Sequence, residues 1–292
     1  ANINTTFTCA GAYGVAKETY HCAGHKAHGT ITLAEALRQS CNIYYIQLGQ
    51  RVGSQTFYNY FDAFGFTSRT GVDLPSETGF MQYYNANQLG EVQLASSAFG
   101  QAMAITPLQM CIAVAAAVNG GYLVTPHVVD KITDANGNVI EEIGANVRRQ
   151  VISESTSNVI RQIMEYEVGA GTGGGKYAYV SGYRIGGKSG TSEQLNMDRR
   201  ADGDYKKVAS FAAVLPADDP EIIVYVMLDD PNNARTDYSS LLAAPVVGNI
   251  ISEIAPYLGI AADGEDRSQT VVTVPNLVGT EWRDRKSTRL NS

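Results

Sequence analysis

Tyr183-Arg-Ile-Gly-Gly-Lys188-Ser-Gly-Thr191-Ser-Glu-Gln194 decides the fold of this 292-residue chain. One lysine stands among glycines and small hydroxyl residues. On a strand, side chains alternate, so Lys188 and Gly190 are expected on one face, with Ser189 and Thr191 on the other. Gly186, Gly187 and Gly190 bring no side chain, so another backbone can lie close against the strand. That pattern suits a sheet edge receiving a carboxylate or an extended peptide.

A competing reading uses the same residues. Gly182-Tyr-Arg-Ile-Gly-Gly187-Lys188-Ser189 satisfies G-x-x-x-x-G-K-[ST], the phosphate loop of nucleotide-binding proteins, with 221–230 as its magnesium-binding strand. A phosphate loop opens a helix whose N-terminus faces the phosphates. Here Ser192 to Asp204 is polar and carries no apolar helical stripe. The context favours a strand.

A second motif lies far upstream. Thr32-Leu-Ala-Glu35 has the form of a capping box and opens a helix that runs into Ser40-Cys41-Asn42. Ser-x-Asn followed downstream by Lys-Ser-Gly-Thr resembles the penicillin-binding protein transpeptidases, whose relatives carry S-x-x-K, S-D-N and K-T-G. His28-Gly29, Ser40-Cys-Asn-Ile-Tyr-Tyr45, Thr70-Gly-Val-Asp-Leu-Pro-Ser-Glu77, Phe99-Gly-Gln101 and Thr106-Pro-Leu-Gln-Met110 resemble the class B branch, of elongation or sporulation type. The resemblance covers residues 1–258.

It implies a peptidoglycan D,D-transpeptidase that binds penicillin and crosslinks stem peptides by acyl transfer. Ser40 would relay a proton, Asn42 would donate its amide to the substrate backbone, and Lys188 would supply positive potential. Ser189 and Thr191 hydroxyls would hold a carboxylate, with Gly190 and Ser192 also lining the substrate, and the Thr191 N–H would enter the oxyanion hole. The implied partners are stem peptides, β-lactams and a membrane glycosyltransferase. The implied location is outside the cell membrane, anchored by an N-terminal helix, and catalysis requires no cofactor. A noncatalytic β-lactam sensor or wall-binding protein is the alternative within the fold.

One element of the family pattern does not occur. No Ser-x-x-Lys is present in the 292 residues. The resemblance implies that the nucleophilic serine precedes this sequence, so that the chain as written is a truncated domain unable to form an acyl-enzyme.

Composition bounds the remainder. Net charge is -7, and no Lys/Arg cluster forms a phosphate track, which excludes nucleic acid. The apolar run Met110–Val118 is too short to cross a bilayer. Residues 259–269 read as a polar linker, and 270–283 resembles the opening strand and turn of a PASTA module. Residues 284–292 resemble one reading frame of a sequencing-adapter oligonucleotide and are set apart from fold reasoning.

Three of the four cysteines, Cys9, Cys22 and Cys41, fall in the first 41 residues beside His21, His25 and His28. Three outcomes stand open: a disulfide (Cys9 to Cys22, or Cys22 to Cys41), a structural zinc on Cys9, Cys22, His28 and Cys41, or free thiols. Cys111 sits in an apolar helix and reads as core.

The periodicities predict helices over 54–65, 106–118, 155–168 and 240–258, and a hairpin over 128–143 turning at Asn136-Gly137. Three strands follow, at 184–194, 208–215 and 221–228, with connections short enough for antiparallel pairing. The expected fold is α+β, a three-layer, β-lactamase/transpeptidase-like arrangement: helices on both faces of an antiparallel sheet, plus an all-helical lobe.

Overall fold

The computed structural model describes residues 2–169, 171, 173–194, 199–200, 203–231 and 238–262. The PASTA-like stretch, the adapter-like tail and residues 263–269 of the expected linker lie outside the described residues.

The chain opens with two small ribbons. β1 (Phe7–Cys9) pairs with β4 (Gly29–Ile31), and β2 (Ala12–Val15) pairs with β3 (Glu18–His21). These strands are three or four residues long and partly exposed, too short to show an alternating pattern. The helical lobe follows: α1 (Leu33–Arg38), α2 (Asn42–Val52), α3 (Ser54–Ala63) and α4 (Glu91–Ala98). α4 had no sequence signal, since Gly90 precedes it without a side-chain cap and it spans eight residues. The lobe is thus helical with ribbons attached.

α5 (Pro107–Val118) begins as its sequence requires. Thr106 accepts from the Gln109 N–H, and the Gln109 side chain answers to the Thr106 N–H, with Pro at the first turn. α1 completes only half of its expected box. Thr32 accepts from Glu35 N–H, but the Glu35 carboxylate turns to Arg38 at 2.6 Å and to the Tyr166 hydroxyl at 2.6 Å.

β5 (Tyr122–Thr125) leaves α5 and pairs with β8 (Asn146–Gln150). Between them lies the expected hairpin, β6 (Lys131–Thr133) and β7 (Val139–Glu142), turning at Asn136-Gly137. Gly121 links α5 to β5 at φ +96°, and a Cβ there would lie 1.9 Å from the Ile152 carbonyl oxygen. Gly121→Ala is therefore expected to cost about 3 kcal/mol or more, as a lowered urea midpoint.

α6 (Glu154–Gly169) leads to a short 3-10 turn at Gly174–Ala178, and then to the sheet: β9 (Gly186–Glu193), β10 (Lys207–Leu215) and β11 (Ile222–Asp229). The order is β11-β10-β9, antiparallel throughout, with Lys188 opposite Ala212 and Thr191 opposite Ala209. β9 is an edge strand. α7 (Ser239–Tyr257) closes the described chain.

The period-2 pattern of β10 divides the layers. Phe211, Ala213 and Leu215 pack with Ala243, Ala244, Val247, Ile251 and Ala255 of α7. On the other face, Val214 packs with Val118 of α5 and Met164 of α6. α7 is long and apolar enough by composition to cross a membrane, yet here it covers one face of the sheet. Each large apolar side chain so buried contributes on the order of 1.5–3 kcal/mol.

Candidate active site

Ser40 sits where α1 stops. The Ser40 N–H bonds the Leu37 carbonyl at 3.1 Å, and the Cys41 N–H reaches back to Ala36 at 2.9 Å. This is the double closure that usually places glycine in the left-handed position. Serine occupies it instead, at φ 49°. A non-glycine residue held there costs on the order of 1 kcal/mol or more, and such strain gathers at functional sites. The next residue starts a new helix: the Cys41 sulfur caps α2 by accepting from the Tyr44 N–H at 3.4 Å. The Ser40 side chain is thereby fixed in the notch between two helices.

Lys188 meets it from β9. Its ammonium donates to the Ser40 hydroxyl at 3.1 Å across 148 positions of sequence, and to the Ser189 carbonyl at 2.7 Å. It also reaches the Ser189 hydroxyl at 3.3 Å, so the two neighbouring side chains meet at the open edge. Strict alternation had separated them. The four-carbon lysine stem folds round an edge strand that has no neighbour on that side.

The Ser189 carbonyl that receives this lysine points away from β10. Alternate residues of an antiparallel edge strand share that direction, so the Thr191 N–H faces the same open edge. The Thr191 hydroxyl is engaged at the start of α7, bonding the Ser239 hydroxyl at 3.0 Å and accepting from the Ser239 N–H at 3.2 Å. Gly190 and Ser192 lie on the same strand, and Gly190 is exposed. A backbone with a carboxylate terminus can pair along this edge and present its carboxylate to Lys188 and the hydroxyls.

Asn42 stands on the first turn of α2, two residues after Ser40. Its amide donates to the His21 carbonyl at 2.9 Å and makes no described bond to Lys188. The phosphate-loop reading fails on geometry. Lys188 and Ser189 are internal to strand β9, and no helix opens at that point.

Behind Lys188 lies Glu167, near the end of α6 and fully buried at 0% side-chain exposure; one of its oxygens is 3.9 Å from the ammonium, whose side chain is 26% exposed. Burial pushes Glu167 up to about 7, opposed by the Lys188 charge and by the Ser189 N–H and hydroxyl. Burial also lowers Lys188, while Glu167 raises it. Glu167 thus takes up a proton on folding between its ordinary 4.5 and about 7. Its stabilising share is complete below pH 4.5 and is lost as pH rises through 7, about 3 kcal/mol at most. Urea unfolding of Glu167→Gln should lack this slope, and should show the variant the more stable protein at pH 8 relative to pH 5.

Three thiols and one imidazole form a second cluster beside Ser40. The Cys9 and Cys22 sulfurs are 3.6 Å apart, Cys22 and Cys41 are 3.7 Å apart, and Cys9 lies 3.4 Å from His28 Nδ1. All four ligand atoms fall within 4.8 Å of one another. A disulfide needs a separation of about 2.05 Å, and the three thiols are free. Tetrahedral zinc with bonds of about 2.3 Å to sulfur needs sulfurs about 3.8 Å apart, so the donor set fits that ion. The hydrogen bond with Cys41 draws the Cys22 thiol down to about 5 against the upward push of burial, while Cys41 is pushed up by the same partner.

Sequence reasoning missed Glu167, Ser239 and the purpose of the glycine loop. A Cβ at Gly173 would lie 2.2 Å from the Glu167 carbonyl oxygen, and one at Gly175 would lie 2.3 Å from Oε2. Gly175 lacks a side chain where the Glu167 carboxylate packs, and Gly173 where its main-chain carbonyl does. A signal was available: Glu167 breaks the apolar face Val159, Ile160, Ile163, Met164 that α6 otherwise presents.

A family model described as the penicillin binding protein transpeptidase domain matches residues 2–252. Stage V sporulation protein D of Bacillus subtilis is 36% identical over 279 residues, which is 92% of this chain and 42% of that protein. A probable peptidoglycan D,D-transpeptidase FtsI of Caulobacter vibrioides is 31% identical over 94% of this chain and 45% of its own length. The chain therefore spans less than half the length of these curated relatives. Penicillin binding protein 3 of Mycobacterium tuberculosis, solved with ampicillin, superimposes with a TM-score of 0.77 at 27% identity, over 93% of this chain and 61% of that one.

Proposed function

The chain belongs to the penicillin-binding protein transpeptidase family, and from that premise we propose that it carries the lysine side of a peptidoglycan D,D-transpeptidase centre. One observation carries the reading: the Lys188 ammonium lies 3.1 Å from the Ser40 hydroxyl on an open strand edge. The cation eases transfer of the Ser40 hydroxyl proton to the departing amine by stabilising the oxyanion left behind, which regains a proton released by the attacking serine. The same charge attracts the terminal carboxylate of a D-Ala-D-Ala stem peptide or the carboxylate of a penicillin, with Ser189 and Thr191 as hydroxyl partners. The Thr191 N–H supplies one oxyanion donor, and Gly190 lets the substrate backbone approach. Asn42 sits on the neighbouring turn to orient the peptide once its bond to His21 is exchanged.

No Ser-x-x-Lys occurs in the 292 residues, so the residues named here supply the proton relay and the carboxylate site of the reaction and not its nucleophile. Membrane anchoring, an extracytoplasmic location and a glycosyltransferase partner belong to the same reading. The likeness to a stage V sporulation protein supports a sporulation role. Intact mass of the complete protein after incubation with benzylpenicillin tests the proposal: one covalent adduct is expected, and no adduct would refute it. Crosslinking of stem peptides then separates an enzyme from a sensor that acylates only.

We further propose that Cys9, Cys22, His28 and Cys41 hold a structural zinc. Cys41 lies between Ser40 and Asn42, so a metal there would tie the ribbons to both site residues. Its second layer fits as well, with the helix N-terminus of α2 directed at the Cys41 sulfur.

A further inference from the structure

Glu167 is costly where it stands. Its carboxylate is fully buried, and among the described residues neither oxygen makes a hydrogen bond of ordinary geometry. A leucine or methionine of similar volume would fill the same space without a desolvation cost. Instead, Gly175 carries no side chain where the carboxylate is enclosed: an added Cβ there would lie 2.3 Å from Glu167 Oε2, while one at Gly173 would meet the Glu167 main-chain carbonyl at 2.2 Å. Among the described residues, the one cation it approaches is Lys188, at 3.9 Å. That lysine in turn donates to Ser40 and to the Ser189 carbonyl.

We propose that Glu167 is a positioning residue, whose buried carboxylate holds the Lys188 ammonium between the Ser40 hydroxyl and the Ser189 carbonyl for acyl transfer. The geometry is one of support from behind. Ser40 and Ser189 O fix the front of the ammonium, and Glu167 fixes its rear, on a helix packed along the edge strand. A lysine alone on an exposed edge samples many rotamers; one with a fixed counter-charge loses few of them on substrate binding. The titratable groups facing Glu167 are Lys188 of β9 and Tyr45 of α2, the latter a buried phenol raised by its own burial. Ser189 contributes uncharged groups.

This inference rests on the acyl-transfer reading of the cleft, and the experiment separates the two. Second-order acylation by benzylpenicillin is measured from pH 5 to 9 in the complete protein carrying its Ser-x-x-Lys, for wild type, Glu167→Gln and Glu167→Asp. Below about pH 6 the wild-type carboxyl is neutral, so wild type and Glu167→Gln should react alike. Above about pH 8 the wild type should be about 10-fold faster, the ratio rising through pH 7. Glu167→Asp should recover part of that rise. A purely structural glutamate would give a pH-independent ratio, and a ratio of one throughout would also overturn the proposal. A slower variant that is nevertheless more stable at pH 8 is the expected signature.

Carbon NMR of the wild type gives a second measurement that needs neither the variants nor acylation. The Glu167 carboxyl and the Lys188 ε-carbon should show a shared step near pH 7, and independent steps would contradict the pairing. If wild type acquires no penicillin adduct, the transpeptidase reading falls, while the shared step still reports on the pair.

Discussion

Replacing Lys188 by alanine in the complete protein is expected to lower penicillin acylation about a thousandfold with the fold retained. The effect has two sources in the geometry. Ser40 loses the cation 3.1 Å from its hydroxyl, so its deprotonated form is no longer favoured. The substrate carboxylate loses its charged partner at the strand edge. Together these place the loss near the range for a misplaced acid–base group combined with a lost electrostatic donor. Lys188→Arg keeps the charge but carries a planar fork that cannot sit at one point between Ser40 and the Ser189 carbonyl, and an intermediate loss of about 10- to 100-fold is expected. Circular dichroism separates these effects from unfolding. Glu167 responds in a known direction: without Lys188 it stays protonated to higher pH, since that charge is what opposes its burial.

Removing the proposed zinc is expected to have the second-largest effect, on stability before activity. Protein purified under reducing conditions should carry one zinc per chain. Stripping it with a strong chelator should lower the unfolding free energy by several kcal/mol, as should Cys41→Ala or Cys22→Ala. The cause is local. Cys9 ends β1, His28 immediately precedes β4, Cys22 follows β3, and Cys41 caps α2. A metal on Cys41 would add to the Leu37 and Ala36 carbonyls, the Asn42–His21 bond and the cap at Tyr44 that orient the turn holding Ser40. A metal-free protein with unchanged melting would dispose of the zinc. A mass short of two hydrogens under non-reducing conditions would identify a disulfide instead.

How much of the fold and site is legible in the sequence follows the reach of each signal. The three sheet strands and α5, α6 and α7 were legible because period-2 and period-3.6 patterns persist over eight or more residues. Ser40 and Lys188 were legible as residue types in motifs, but their meeting was not: periodicity carries no information across 148 positions. The ribbons of residues 7–31 escaped because three-residue strands hold too few alternations, and α4 escaped for want of a cap. Glu167 was hidden for a different reason. Its break in the apolar face of α6 shows in the sequence, but the groups that enclose it, Lys188 and Gly175, lie outside that helix. The alternation rule misled at Lys188, where a long side chain on an edge strand is not confined to one face.

The most direct test is a crystal structure of the complete protein acylated by a penicillin. The drug carboxylate is expected within hydrogen-bonding distance of the Ser189 or Thr191 hydroxyl, with Lys188 beside it, Ser40 at the opened lactam nitrogen and the acyl oxygen on the Thr191 N–H. An adduct whose carboxylate lies away from β9, with Lys188 out of reach of Ser40, would contradict the assignment of this edge as the acyl-transfer site.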